Sequence, residues 1–166
     1  MAEPARQPLP AEKRARYAAL RREIAAVIAG EPNLTARYAT AASLLREAFP
    51  DTFFWVGFYL VDPEKTRELV VGPYQGTLGC LRIPFGKGVC GAAAATGATQ
   101  LVPDVHAFPG HIACDSRSNS EIVVPVFRAD GALAGVLDVD STAFNAFDAD
   151  DQAGLEAICA DLLTLP

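Results

Sequence analysis

The run FFWVGFYLV at residues 53–61 constrains the fold more than any other stretch of the chain. Aromatic and β-branched side chains dominate it and no charge interrupts it, so it reads as a strand buried on both faces rather than a helix. Such a strand needs neighbours in a sheet and covering layers on the sheet's two sides. A chain of 166 residues, 51% hydrophobic, can bury one ordinary core around it and is short for two domains.

The flanking patterns supply both needs. Three prolines in residues 1–10 leave little to pack, and that segment reads as a tail preceding a single domain over 11–166. From Glu12, the residues Tyr17, Leu20, Ile24, Val27 and Ile28 recur at helical spacing until Gly30 and Pro32. A second helix is expected from about Leu34 to Phe49, before Pro50. After the aromatic run, RELVVGPY and LGCLRIPF read as strands, GKGVCGAAAATG as a short helix and TQLVPDV as another strand. HAFPGHIACDSRSNS reads as a long loop, EIVVPVFR and LAGVLDVDS as two strands joined through ADGA, and the closing stretch as a helix capped by Asp148. This order predicts an α+β fold with a mostly antiparallel central sheet covered by helices.

The chain carries 14 Lys and Arg against 20 Asp and Glu, a net charge of −6, which disfavours nucleic acid and anionic membranes as partners. No apolar stretch reaches the roughly 20 residues of a membrane span, and the opening residues lack the apolar centre of a signal peptide. A cytoplasmic protein is expected. In a reducing compartment, four cysteines at irregular spacing are more often reactive or metal-binding than permanent crosslinks.

Gly86, Gly88 and Gly91 spell G-x-G-x-x-G, with Asp104 at the distance of a ribose-binding acid. A dinucleotide fold should open with that unit and repeat it, whereas here two helices and a meander come first. A tight turn entering a helix explains the glycines. Cys90 then falls in the first helical turn, where the dipole favours a thiolate. Cys159 shares the apolar stripe of the last helix and is expected in the core. A zinc site of Cys80, Cys90, Cys114 and one histidine lacks a close Cys-x-x-Cys pair. A redox relay among the same three thiols makes no such demand and fits better. His106 and His111 are read as loop residues satisfying backbone groups, without a catalytic role.

Strand parity puts Trp55, Gly57 and Tyr59 on one face, and Phe54, Val56, Phe58 and Leu60 on the other. Gly57 is either a local weakness or a slot for a small apolar group such as a methyl-sulfur tail. Asp138 and Asp140 share a face of an otherwise apolar strand. Either that end is wet, or the two, joined by Glu121, bind a cation and keep a shared proton at neutral pH.

Taken together, WVGFYL, GPYQG, IPFGKGVCG, FPGHIACD, SEIVVPV and GVLDVDS, spanning about Thr52 to Asp150, resemble the free methionine-(R)-sulfoxide reductases, a family built on the GAF fold. The resemblance implies Cys114 as nucleophile, Cys80 as first resolving thiol and Cys90 as the thiol that takes over the disulfide. It implies Trp55 and Tyr59 framing free methionine (R)-sulfoxide, with Glu121, Asp138 and Asp140 binding its polar end and supplying protons. It further implies no cofactor and no metal, recycling by thioredoxin, and a possible homodimer paired through helices. The rival reading is a non-catalytic GAF sensor of oxidation or a small ligand, against which the lack of a second output domain in the sequence weighs.

Overall fold

The computed structural model describes residues 10–164. The expected tail therefore lies outside the described residues except for Pro10, which is the first residue of a helix, a position where its missing N–H costs nothing. Helix α1 spans Pro10–Val27, and α2 spans Leu34–Ala48 with the Asn33 side chain accepting from the Ala36 N–H. Strands β1 (Trp55–Val61), β2 (Glu68–Gln75) and β3 (Arg82–Pro84) follow, then α3 (Gly88–Thr96) and β4 (Gln100–Val102). A 3-10 turn at Val105–Ala107, strands β5 (Ser120–Phe127) and β6 (Leu133–Ser141), and helix α4 (Ala149–Thr164) complete the order.

The six strands form one sheet in the order β3-β2-β1-β6-β5-β4, every neighbouring pair antiparallel. The aromatic run holds a central place, as its two-faced burial requires. On one face, Tyr17, Leu20 and Ile24 of α1, Tyr38 and Leu45 of α2, and Leu155, Ile158 and Cys159 of α4 pack against Val56, Phe58, Leu137 and Ile122. The opposite face carries a smaller core, in which α3 and loops cover Trp55, Tyr59, Val123 and Val136. The α+β fold read from the sequence is the one observed.

Several expectations change in detail. LGCLRIPF pairs only through Arg82–Pro84, so Cys80 lies in the loop before β3 rather than in a strand. TQLVPDV pairs over Gln100–Val102 alone. Phe54 precedes β1 and packs with the smaller core, contrary to its expected parity, while Val56, Phe58 and Leu60 keep theirs. The strands before and after the glycine cluster, β3 and β4, lie at opposite edges of an antiparallel sheet, which is not the parallel unit of a dinucleotide fold. The glycines serve the turn: Gly86 and Gly88 take positive φ, and a Cβ at Gly91 would stand 2.6 Å from the Pro84 carbonyl oxygen.

Candidate active site

Residues opposite one another on antiparallel strands share a face, and one such rung crosses four strands as Trp55, Asp140, Glu121 and Val102. The next rung places Gly57 beside Asp138 and Val123, and a third places Tyr59 beside Val136. Five residues assigned from the sequence thus meet on the face covered by α3. The wet-end reading of Asp138 is corrected: Glu121 and Asp138 are 5% and 6% exposed, and Asp140 is half-buried.

Trp55 lies flat over this surface. Its ring stacks on Tyr59 at 5.7 Å and on Tyr74 at 5.0 Å between centroids, and its Nε1 donates to the Thr77 carbonyl at 2.8 Å. The gap expected over Gly57 is filled by that indole and by Tyr74, so the glycine makes room for the tryptophan and not for a ligand. The Tyr59 hydroxyl accepts from the Cys80 N–H, and burial, then the Asp138 charge, push its pKa up.

Cys80 and Cys114 are joined in a disulfide with Cα atoms 5.5 Å apart and a sequence separation of 34. Cys114 is exposed and Cys80 half-buried. A polar clamp holds the same two loops: Thr77 Oγ1 donates to Asp115 Oδ2 at 2.8 Å, and Arg117 grips Asp115 through Nε at 3.0 Å and its terminal nitrogen at 2.8 Å. These donors hold the Asp115 carboxyl well below the usual carboxylate range. The Arg117 guanidinium also lies 4.9 Å over the Phe54 ring. The sequence reading missed this clamp; the spacing Asp115-x-Arg117 beside Cys114 was its local signal, whereas Thr77 gave none.

Between these loops and the sheet lies a cavity of about 40 Å³ bounded by Trp55, Tyr59, Cys114, His111, Glu121 and Asp140. That is room for a few water molecules. His111, read as a passive loop residue, lines it, with Nε2 3.7 Å from Glu121 Oε2; burial lowers its pKa.

Cys90 sits beneath the cavity, its Sγ 3.8 Å from Glu121 Oε1. The expected thiolate is not supported: burial, and then the charges of Asp138, Glu121 and Asp140, push the thiol well above its ordinary pKa, outweighing the helix terminus. Desolvation likewise raises Glu121 and Asp140 well above the carboxylate range, with the charge of Asp138 adding to each. Asp138 itself is raised to about 6, again by burial. No lysine or arginine pairs with these three acids among the described residues, so Glu121 and Asp140, held beside the Asp138 charge, are the ones that keep a proton near neutral pH and can give it to a bound molecule.

The chain matches the GAF domain family over residues 33–163. It is 47% identical to the free methionine-R-sulfoxide reductase of Escherichia coli over 146 residues, covering 88% of this chain and 86% of that protein. It is 43% identical over 132 residues to the Saccharomyces cerevisiae protein of the same name, covering 78% and 73%. Among solved structures, that of free methionine-R-sulfoxide reductase from Neisseria meningitidis in complex with its substrate superposes with a TM-score of 0.86. Identity there is 45%, over 99% of this chain and 93% of that one.

Proposed function

Because this chain belongs to the free methionine-(R)-sulfoxide reductases of the GAF-domain family, we propose that Cys80, Cys90 and Cys114 and the buried acids divide the work of one reaction, the reduction of free L-methionine (R)-S-oxide to L-methionine. The Cys114 thiolate attacks the sulfoxide sulfur while a protonated carboxyl among Glu121, Asp138 and Asp140 gives its proton to the sulfoxide oxygen. The sulfur–oxygen bond of the substrate breaks, the thioether leaves with two more electrons, and Cys114 is left as a sulfenic acid. The Cys80 thiol displaces water from that sulfur and forms the disulfide, and Cys90 takes the bond over by exchange. A thioredoxin-type dithiol protein then returns the two electrons.

Trp55 and Tyr59 frame the methyl-sulfur end, and the acids hold the α-ammonium group. A peptide-bound methionine sulfoxide lacks that group and should be a poor substrate. The catalytic unit is the domain over 11–166, acting in the cytoplasm and pairing through helices as a homodimer. No helix among the described residues is long and apolar enough to cross a membrane.

What supports this reading above all is the junction of Cys80 with Cys114 at a cavity whose other walls are Trp55, Tyr59, Glu121 and Asp140. The test is turnover of racemic free methionine sulfoxide with excess dithiothreitol, followed by chiral chromatography. Consumption should stop at half, with only the R epimer lost, and Cys114→Ser should consume none. Loss of both epimers, or unchanged turnover by the variant, overturns the reading.

A further inference from the structure

We propose that Cys90, Glu121 and Asp138 form a coordination site for a zinc-class divalent cation beneath the cavity, a second use of three side chains that the reading above gives to the reaction. One ligand atom from each of these residues lies within 4.8 Å of the other two. The Cys90 Sγ to Glu121 Oε1 distance of 3.8 Å is close to the separation a tetrahedral ion imposes. With metal–sulfur and metal–oxygen bonds of about 2.3 and 2.0 Å, that separation is about 3.5 Å.

An oxygen without a partner gives independent reason to look for a ligand here. Asp138 is 6% exposed, and its Oδ1 has no hydrogen-bond partner among the described residues. Its carboxylate belongs to the group that converges with Cys90 and Glu121. Among the described residues, no lysine or arginine forms an ion pair with Glu121 or Asp138. Buried oxygens in such surroundings are satisfied by shared protons or by a cation.

The three ligands stand on rigid elements. Glu121 and Asp138 are diagonal neighbours on β5 and β6 in the middle of the sheet, and Cys90 enters from the first turn of α3. Glu121 also lines the cavity, which provides a route for entry and a fourth coordination position open to water. One thiol with two carboxylates suits zinc or cadmium rather than magnesium or calcium, which prefer all-oxygen shells. On binding, Cys90 gives up its proton and stays as the thiolate ligand. An ion so placed occupies the Cys90 sulfur and two of the acids, and on the reading of function given above it acts as a brake on turnover.

Protein whose disulfide is mapped by peptide analysis to Cys80 and Cys114, with Cys90 not exchanged into it, provides an assay without turnover, because Cys159 lies in the opposite core. Chelator-stripped protein with the disulfide intact is titrated with cadmium while the thiolate-to-cadmium charge-transfer absorption is followed. One ion per chain should bind with that band, and zinc should displace it. Cys90→Ser should lose the band, Cys159→Ser should keep it, and Asp138→Asn should bind at least about tenfold more weakly. Cadmium-113 NMR of the wild-type protein, which needs no variant to fold, should give one resonance in the range of a single sulfur ligand. No stoichiometric band, a band that survives Cys90→Ser, or a resonance typical of oxygen ligands alone overturns the site. Each of these outcomes is readable even if the protein reduces no sulfoxide.

Discussion

At the scale of single residues, Gly57 decides where the Trp55 ring lies. A Cβ there would stand 2.6 Å from Trp55 Cη2 and would press on the Tyr74 side chain, so Gly57→Ala forces the indole off the sheet. We expect a loss of about 1–3 kcal/mol in stability and a fall in kcat/KM. The chain has one tryptophan, so its fluorescence reports that ring alone; unchanged emission with unchanged kinetics would refute the packing argument. Asp138 carries a signed pH prediction. Its folded pKa of about 6 lies above its ordinary 3.8, so its contribution to stability is fully present below about pH 4 and is lost as pH rises through 6. Asp138→Asn should therefore gain stability relative to wild type between pH 4 and 8, by at most about 3 kcal/mol. Urea melts at both pH values check this, and a constant difference counts against it. The thiols and acids were legible in the sequence because residue type announces chemistry. The state of Cys90 was not, because Glu121 and Asp138 are brought to it by strand pairing and not by local sequence. Gly57 misled for a similar reason: alternation assigns a face but not the rotamer of the neighbouring tryptophan.

At the scale of elements, the junction of α1 with α4 rests on a small polar group under the larger core. Asp148 caps α4 by accepting from the N–H groups of Asp150 and Asp151, and the Asp151 carboxylate accepts in return from the Asp148 N–H. Lys13 of α1 reaches Asp148 and Asp151 at 2.8 Å each, and the Tyr17 hydroxyl donates to Asp151 at 2.8 Å. Asp151 is 2% exposed, so Lys13→Met leaves a buried carboxylate held by the Tyr17 hydroxyl and the Asp148 N–H without the Lys13 charge; we expect a loss of about 2–3 kcal/mol in chemical denaturation. Adding Asp151→Asn should recover part of it. A single-variant loss below about 0.5 kcal/mol would show the ion pair to be idle. The Asp148 cap could be read locally, since the residue and the helical pattern after it are adjacent in sequence. The lengths of β3 and β4 could not, because each is an edge strand with one partner, and pairing stops where that partner or the adjoining loop turns away. At β3 the preceding loop leaves the sheet to meet Trp55 through Thr77 and Asp115 through the same residue.

At the scale of the whole molecule, the order of helices and strands was enough to indicate an antiparallel sheet under helices, but not that β1 would lie beside β6, which sets Trp55 opposite Asp140. That pairing brings early and late segments together, and the Cys80–Cys114 bond adds a further crosslink between the two loops over the smaller core. Closing a loop over 34 residues removes unfolded-chain entropy worth about 4 kcal/mol at most. For a chain of 166 residues this corresponds to a melting temperature higher by on the order of 10 °C, less whatever the native loops relax on reduction. The oxidised protein should therefore melt above the dithiothreitol-reduced protein. A Cys80→Ser, Cys114→Ser double variant should melt near the reduced wild type and ignore the reductant, while Cys159→Ser keeps the full response. The Thr77–Asp115–Arg117 clamp holds the same loops without a covalent bond, so the site should stay folded when the bond opens, as the relay proposed above requires. If scanning calorimetry finds oxidised and reduced wild type melting together, the clamp alone carries the closure and the bond adds no stability.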